Sequence, residues 1–450
     1  MFGPTEGLAA FLVSLRHSSI PISARHMAKM CFLDWLGSAL IGSKQHPARI
    51  IVDVLGGLGG APESTIIGYG NRTSCMSAAL INGVMSHIVE LDDVHKASIL
   101  HPAAPIMPAA LAVAEKIKSS GQDFLVAVVA GYDAAVRIGE AVNPAHYKYW
   151  HTTGTCGTFG AAAAVGRLLG LDKRGMINAL GSAGTQAAGL WEFLKDGAMS
   201  KHLHPGKAAA NGLLSALLAK SGFTGATTIL EGEKGFCRAT SSQYDLGRIT
   251  SGLGEIFKIN ETSFKLHASC RHTHSTIDAV VDIRKKNRIQ PRQVKRIKVK
   301  TYSVASETAS HEDPKSPFEA KFSLPYCVSI ALIKGSAGVA EFKEELLVDP
   351  EVQTLLGKVE VVVDPELDQQ HPAKWPSIVE VETIDGERYS ARVEYPVGDP
   401  ENPVKDDDLK IKFRSLASQA LSHEKINSLI QTIEKLDEVA DITTVANLLY

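Results

Sequence analysis

Ala103-Ala-Pro-Ile-Met-Pro-Ala-Ala-Leu-Ala-Val-Ala114 and Phe124-Leu-Val-Ala-Val-Val-Ala-Gly-Tyr-Asp-Ala-Ala135 decide the fold class. Both stretches have helical length and almost no polar face. A helix that is apolar nearly all round must be covered by other helices on every side, so a large helical bundle is expected. Lys118-Ser-Ser-Gly121-Gln122 supplies the turn between them. Working outward, the same alanine- and leucine-rich texture predicts helices over 24–40, 76–88, 106–119, 123–141, 160–169, 173–187 and 206–221. Asp172 is placed to cap one of them. Residues 1–16 read as a short amphipathic helix, without the basic stretch and apolar run of a signal peptide.

Strands are scarce before about residue 260, and then the texture changes. Arg296-Ile-Lys-Val-Lys-Thr301 alternates charged and apolar residues, as a strand with one wet face does. Val359-Glu-Val-Val-Val363 reads as another. Residues 378–383 and 388–393 flank Ile384-Asp385-Gly386-Glu387, and Asp-Gly is a strong hairpin signal. Helical stretches at 276–286 and 323–333 lie among these strands. Tyr395-Pro-Val-Gly-Asp-Pro-Glu-Asn-Pro403 has the composition of a boundary linker, and 406–420 and 424–438 return to helical patterning. The expected fold is mainly α. A large all-helical domain is formed by both ends of the chain (1–262 and 396–450), and a smaller α+β domain (263–395) is inserted in it.

The totals narrow the function. Of 450 residues, 44% are hydrophobic and 21% charged, which is globular usage rather than disorder. A net charge of -2 gives no electrostatic reason for a nucleic-acid partner. No run of 18 apolar residues suggests a membrane span. The six cysteines (Cys31, Cys75, Cys156, Cys237, Cys270, Cys327) form no CxxC pair. Reduced thiols in the cytoplasm are expected, and no zinc or iron–sulfur centre.

Four clusters carry the candidate chemistry. His87-Ile-Val-Glu90-Leu-Asp92-Asp93-Val94-His95, with His101-Pro102 after it, brings carboxylates and imidazoles to the end of an apolar helix. They either handle protons or form a solvated cap. Tyr147-Lys-Tyr-Trp150-His151-Thr-Thr-Gly154-Thr-Cys-Gly157-Thr-Phe-Gly160 spaces three glycines ahead of an alanine-rich helix. The glycines either expose amides to an anion or let helices pack closely. No strand precedes them, so this is no dinucleotide fingerprint. Lys201-His-Leu-His204-Pro-Gly-Lys207 adds positive charge before the last expected helix of the first half, as an anion site would require. Lys265-Leu-His267-Ala-Ser-Cys270-Arg271-His272-Thr-His274 suits a carboxylate-binding rim or a solvated basic edge. Four such clusters in a neutral, apolar chain point to a small, strongly anionic ligand and to proton transfer at carbon.

At these residues the chain resembles the MmgE/PrpD family. The resemblance is carried, in order, by Leu91-Asp92-Asp93 with His101-Pro102, the run from His151 to Gly160, and Lys201-His-Leu-His-Pro-Gly-Lys207-Ala208. Ser269-Cys-Arg-His272, Ala320-Lys-Phe-Ser-Leu-Pro-Tyr326 and Pro396-Val-Gly-Asp-Pro-Glu-Asn-Pro403 follow. It implies a homodimer whose subunits each have a helical domain and a smaller lid domain. It also implies a lyase acting on a small polycarboxylate without cofactor or metal. The family includes 2-methylcitrate dehydratases, cis-aconitate decarboxylases and iminodisuccinate epimerases. Their shared step makes or quenches negative charge on carbon beside a carboxylate, which fixed cations stabilise. By resemblance, His101, His151, Lys201, Lys265 and Tyr326 are active-site residues. We expect His151 to transfer the proton, with His101 or His272 next in line. Lys201 is expected to clamp a carboxylate, and Asp93, Lys265, Cys270 and Arg271 to contact substrate. Glu90, Val94 and Cys270 stand where the decarboxylases carry aspartate, threonine and histidine. The leading expectation is therefore a 2-methylcitrate dehydratase-like hydro-lyase. A cis-aconitate decarboxylase or an iminodisuccinate-type epimerase is the alternative, and a non-catalytic carboxylate-binding protein the reading outside this class.

Overall fold

The computed structural model describes residues 3–309 and 311–450, so the first two residues of the expected N-terminal helix lie outside the described residues. The fold is mainly α. Among the described residues there are 21 α-helices against one four-stranded sheet and short two-residue pairings. Contacts divide the chain into two compact units. One comprises Met1–Ile88, Asp92–Thr262 and Lys405–Tyr450; the other comprises Val89–Leu91 and Ser263–Val404.

The first unit is built from α1 (Pro4–Ser14), α2 (Ile22–Gly42), α3 (His46–Gly57), α4 (Cys75–His87), α5 (Ala103–Ile117), α6 (Gly121–Val142), α7 (Thr152–Leu168), α8 (Lys173–Gly184) and α9 (Ser200–Lys220). Asp406–Ala417, His423–Glu434 and, among the described residues, three shorter α-helices also belong to it. The two stretches that decide the fold class are buried almost throughout: α5 from Ala103 to Glu115, and α6 over nearly its whole length. Both pack on α7, which also meets α8 and α9. Asp172 caps α8, accepting from the Gly175 amide at 2.8 Å.

Two helices start earlier than expected, α7 at Thr152 rather than 160 and α9 at Ser200 rather than 206. In each case punctuating residues lie inside the helix. Pro205 sits within α9, where it forgoes one backbone hydrogen bond. The glycines of α7 serve packing. A Cβ on Gly160 would come 2.8 Å from the Gly131 carbonyl oxygen of α6, and one on Gly157 would come 2.5 Å from the Pro105 ring of α5. Glycine costs a helix about 1 kcal/mol against alanine, but here no side chain fits. The open choice for this run therefore resolves to close helix packing.

The second unit holds β1 (Val294–Thr301), β2 (Val359–Val363), β3 (Ser377–Thr383) and β4 (Arg388–Val393) in the order β2-β1-β3-β4. β2 is parallel to β1, with Ile297 opposite Val359; the other pairings are antiparallel, with Val299 opposite Val379 and Val379 opposite Ala391. The expected hairpin turns at Gly386 (φ 91°), a left-handed conformation suited to glycine. Alternation puts Ile297, Val299, Val379 and Val381 on the buried face, and an irregularity between Val294 and Arg296 brings Val294 to it as well. Helix α10 (His274–Asn287) packs on β3 and β4, and α11 (Leu324–Lys334) packs on α10. All six cysteines are buried and unbridged. Among the described residues, no helix is long and apolar enough to cross a membrane.

Candidate active site

Helix α4 ends on His87, and the chain returns to the first unit at Asp92. One oxygen of Asp92, Oδ2, lies 2.8 Å from His87 Nδ1 and 3.3 Å from His101 Nδ1. The His87 and Asp92 side chains have no exposed surface, and His101 is 15% exposed, so this cluster meets solvent through His101. Burial alone would raise the Asp92 carboxyl, but the His87 and His101 imidazoles hold it well below the usual carboxylate range. His87 Nε2 and Asp92 Oδ1 are buried without a hydrogen-bond partner among the described residues. Unmatched polar atoms of this kind gather where a protein keeps capacity for a reactant.

The His87 ring also lies nearly parallel to that of His151, 5.6 Å away. His151 is the N-cap residue of α7 and is buried. Its Nδ1 sits 3.1 Å from Nδ1 of His204 on α9. Trp191 packs 4.8 Å from the His151 ring, with Phe193 beyond it. Lys201 stands one turn before His204 on the same helix, so both project from one face. Burial, then the neighbouring His87, His204 and Lys201, push His151 well below the ordinary imidazole range. His204 is lowered to about 4 by burial, His87 and Lys201. Both rings are therefore neutral near pH 7 and can accept a proton or pass one on.

Of the expected site residues, the structure brings together His101, His151 and Lys201 in the helical unit. His87, Asp92 and His204 lie against them and were not among the expected site residues. The signal was present in a carboxylate and a histidine flanking the end of a buried helix, and in the second histidine of a His-x-His run.

Asp93, an expected substrate contact, is turned into the protein interior. It has no exposure; its oxygens accept from Tyr132 Oη at 2.6 Å and from the Ala103 amide at 3.0 Å. Burial raises its carboxyl to about 8, against the pull of those hydrogen bonds. It ties the loop to α5 and α6.

The second unit holds the other expected residues. Lys265 Nζ lies 3.7 Å from Glu90 Oε2, with both side chains buried, and Glu90 takes a left-handed backbone (φ 60°). Cys270 is buried, and its amide donates to the Lys321 carbonyl at 2.8 Å. Arg271 does not present a free clamp. It donates to the Phe264 carbonyl at 3.1 Å and to His274 Nδ1 at 2.9 Å, and it pairs with buried Asp399. His272 Nδ1 faces the Tyr302 hydroxyl at 2.6 Å, and its ring stacks on Trp375. Burial, then His371, Lys265 and Arg271, lower His272 to about 3. Tyr326 donates its hydroxyl to the Glu341 carbonyl at 2.8 Å, and burial pushes its pKa up.

Two groups of ligand-type atoms converge within 4.8 Å among the described residues: His87–Asp92–His101 and His95–Glu140–Glu261. Lys258 already sits in the second, 2.9 Å from Glu140 and 3.0 Å from Glu261. In the first, the 2.8 Å spacing is that of an imidazole–carboxylate hydrogen bond.

Buried imidazoles around one ionised carboxylate, with a lysine alongside, can hold and pass on protons. The chain belongs to the MmgE/PrpD family: the family's N-terminal domain matches residues 6–248 and its C-terminal domain residues 267–438. It is 31% identical over 470 residues to the cis-aconitate decarboxylase-like protein oryM of Aspergillus oryzae, covering 98% of this chain and 95% of that protein. It is 28% identical over 471 residues to a cis-aconitate decarboxylase of Aspergillus terreus (99% and 96% covered) and 28% identical over 466 residues to that of Homo sapiens (99% and 94%).

Proposed function

We propose that this chain is a decarboxylase of a small unsaturated tricarboxylic acid of the cis-aconitate type, working through its own side chains without a cofactor. The names of its relatives favour this second choice of the sequence over the hydro-lyase placed first. The observation that carries it is the joining of His101, His151 and Lys201 with an ionised Asp92 in one buried cluster.

In the proposed reaction the bond to one carboxylate carbon breaks and carbon dioxide leaves. The electron pair stays on the remaining carbon. Lys201 holds a carboxylate and, with the other positive groups, opposes the charge that develops. An imidazole N–H delivers a proton to that carbon and is reprotonated from solvent. His151 is our proton donor, with His101 the second candidate. Asp92 is a positioning residue that fixes a proton on His101 Nδ1 and orients the ring. The Ser269-Cys-Arg-His272 stretch, with cysteine in place of the decarboxylases' histidine, keeps 2-methylcitrate dehydration as the second reading. Family membership also leads us to propose a homodimer.

The test is to incubate the purified protein with cis-aconitate, 2-methylcitrate and iminodisuccinate in heavy water and follow products by NMR. Carbon dioxide release from cis-aconitate, with one deuterium at the carbon that lost it, is expected. Turnover of 2-methylcitrate alone would overturn the decarboxylase assignment and favour the second reading.

A further inference from the structure

His151 and His204 meet through like atoms, Nδ1 to Nδ1 at 3.1 Å. Two imidazole nitrogens at that distance form a hydrogen bond only if one carries a proton and the other a lone pair. Two N–H groups would repel, and so would two lone pairs. The contact therefore ties the tautomer of one ring to that of the other.

The surroundings are shaped for it. Gly189 lies against the His204 ring: a Cβ there would come 3.2 Å from His204 Nδ1, and its φ of +146° is one that residues with side chains rarely adopt. The Gly189 carbonyl accepts the His151 amide at 2.9 Å, so one residue fixes the backbone of the first ring and leaves room for the second. A Cβ on Gly154 would come 3.2 Å from His204 Cβ. The groups electrostatically coupled to the two rings are His87, His101 and Lys201, and all of them oppose a second proton on the pair. The neighbouring carboxylate, Asp92, is engaged by His87 and His101.

We propose that His204 is a positioning residue that donates its Nδ1–H to the bare Nδ1 of His151 and so locks His151 in the tautomer whose Nε2 carries the proton. His151 then presents the same form of Nε2 to every substrate molecule. A neutral imidazole does this differently from the carboxylate or backbone carbonyl that more often orients a histidine. It fixes the ring without a negative charge that would favour an imidazolium. The inference rests on His151 as the proton-transfer group for its catalytic consequence, though not for its geometry.

The test uses the full chain labelled with 15N-histidine. Long-range proton–nitrogen spectra near pH 7 distinguish protonated from bare ring nitrogens, with His151 and His204 assigned by His151→Gln and His204→Leu. The His204 Nδ1 should be protonated and the His151 Nδ1 bare; the reverse would overturn the proposal. In His204→Leu the His151 signals should move towards a tautomer average, and kcat should fall by about 10–10²-fold with little change in KM. His204→Asn, whose side-chain amide occupies the place of Nδ1, should restore both the single tautomer and most of kcat. Equal protonation of the two Nδ1 atoms in the wild type, which needs no variant to fold, would overturn the proposal. So would His151 signals unchanged in His204→Leu. Full activity in His151→Ala would remove the assigned catalytic role while leaving the measured tautomer in place, so the two ideas fail separately.

Discussion

Two parts of this molecule are equally rich in imidazole and put it to different use. In the helical unit, His87 and His101 bracket one oxygen of Asp92, and His151 meets His204. In the α+β unit, His274 meets Arg271, His267 meets Asp278 at 2.9 Å, and His272 meets the Tyr302 hydroxyl. The first set pairs imidazoles with one another and with a shared carboxylate, so a proton has neighbouring places to go. In the second, each of these rings has its hydrogen bond to a different kind of group: an arginine, a carboxylate and a phenol. Arg271 ties Phe264 and Asp399, and Asp278 also accepts the Val397 amide at 2.8 Å. A count of histidines therefore does not locate a site. The identity of each partner does.

The largest effect that separates the two clusters is expected at His151. His151→Ala should lower kcat by about 10²–10⁴-fold, with the protein still folded by circular dichroism; near wild-type kcat would move the proton to His101. Arg271→Met, in the other cluster, should act on stability. It removes the guanidinium that pairs with buried Asp399, at a cost of about 3–5 kcal/mol in denaturant unfolding, while turnover per folded molecule changes little. A loss of turnover at unchanged stability would make Arg271 a substrate contact after all. Lys201→Ala should mainly raise KM for the tricarboxylate through weakened ground-state binding, read from initial rates.

The pH dependence of stability is shared by both clusters. His204 and His272 are neutral in the fold, lowered to about 4 and about 3. In the unfolded chain a histidine titrates near about 6.5. Their stabilisation is full above that pH and declines as pH falls towards the folded values, by about 1.4 kcal/mol per pH unit for each ring. The thermal midpoint should fall between pH 7 and about pH 4.5; a flat profile would show that the rings are not held neutral. The smallest effect concerns metal. Prolonged chelation should leave activity unchanged, whereas loss of activity restored by a divalent ion would turn His87, Asp92 and His101 from a proton cluster into a metal site.

Much of this was legible in the chain. The apolar runs at 103–114 and 124–135 became buried helices, Asp172 became a cap, and Asp385-Gly386 a hairpin turn. Each depends on residues a few positions apart. The starts of α7 and α9 were not legible, because Gly154, Gly157 and Pro205 carry the local marks of a break. What keeps them helical is the facing surface, such as Pro105 against Gly157. Nor could the sequence distinguish Asp92 from Asp93. Adjacent residues point apart, and one met two imidazoles while the other met Tyr132.

The sequence by itself determined the mainly helical fold, the change of texture after residue 260 and the residue types available for chemistry. Hydrophobic periodicity and turn chemistry are local, and composition is additive. Only the tertiary structure decided which of those residues work together. His151 and His204 are 53 positions apart and touch because α7 and α9 pack side by side. Whether a buried imidazole is neutral, and which proton it shares, depends on the groups that packing sets within a few ångströms of it, and no spacing along the chain specifies that.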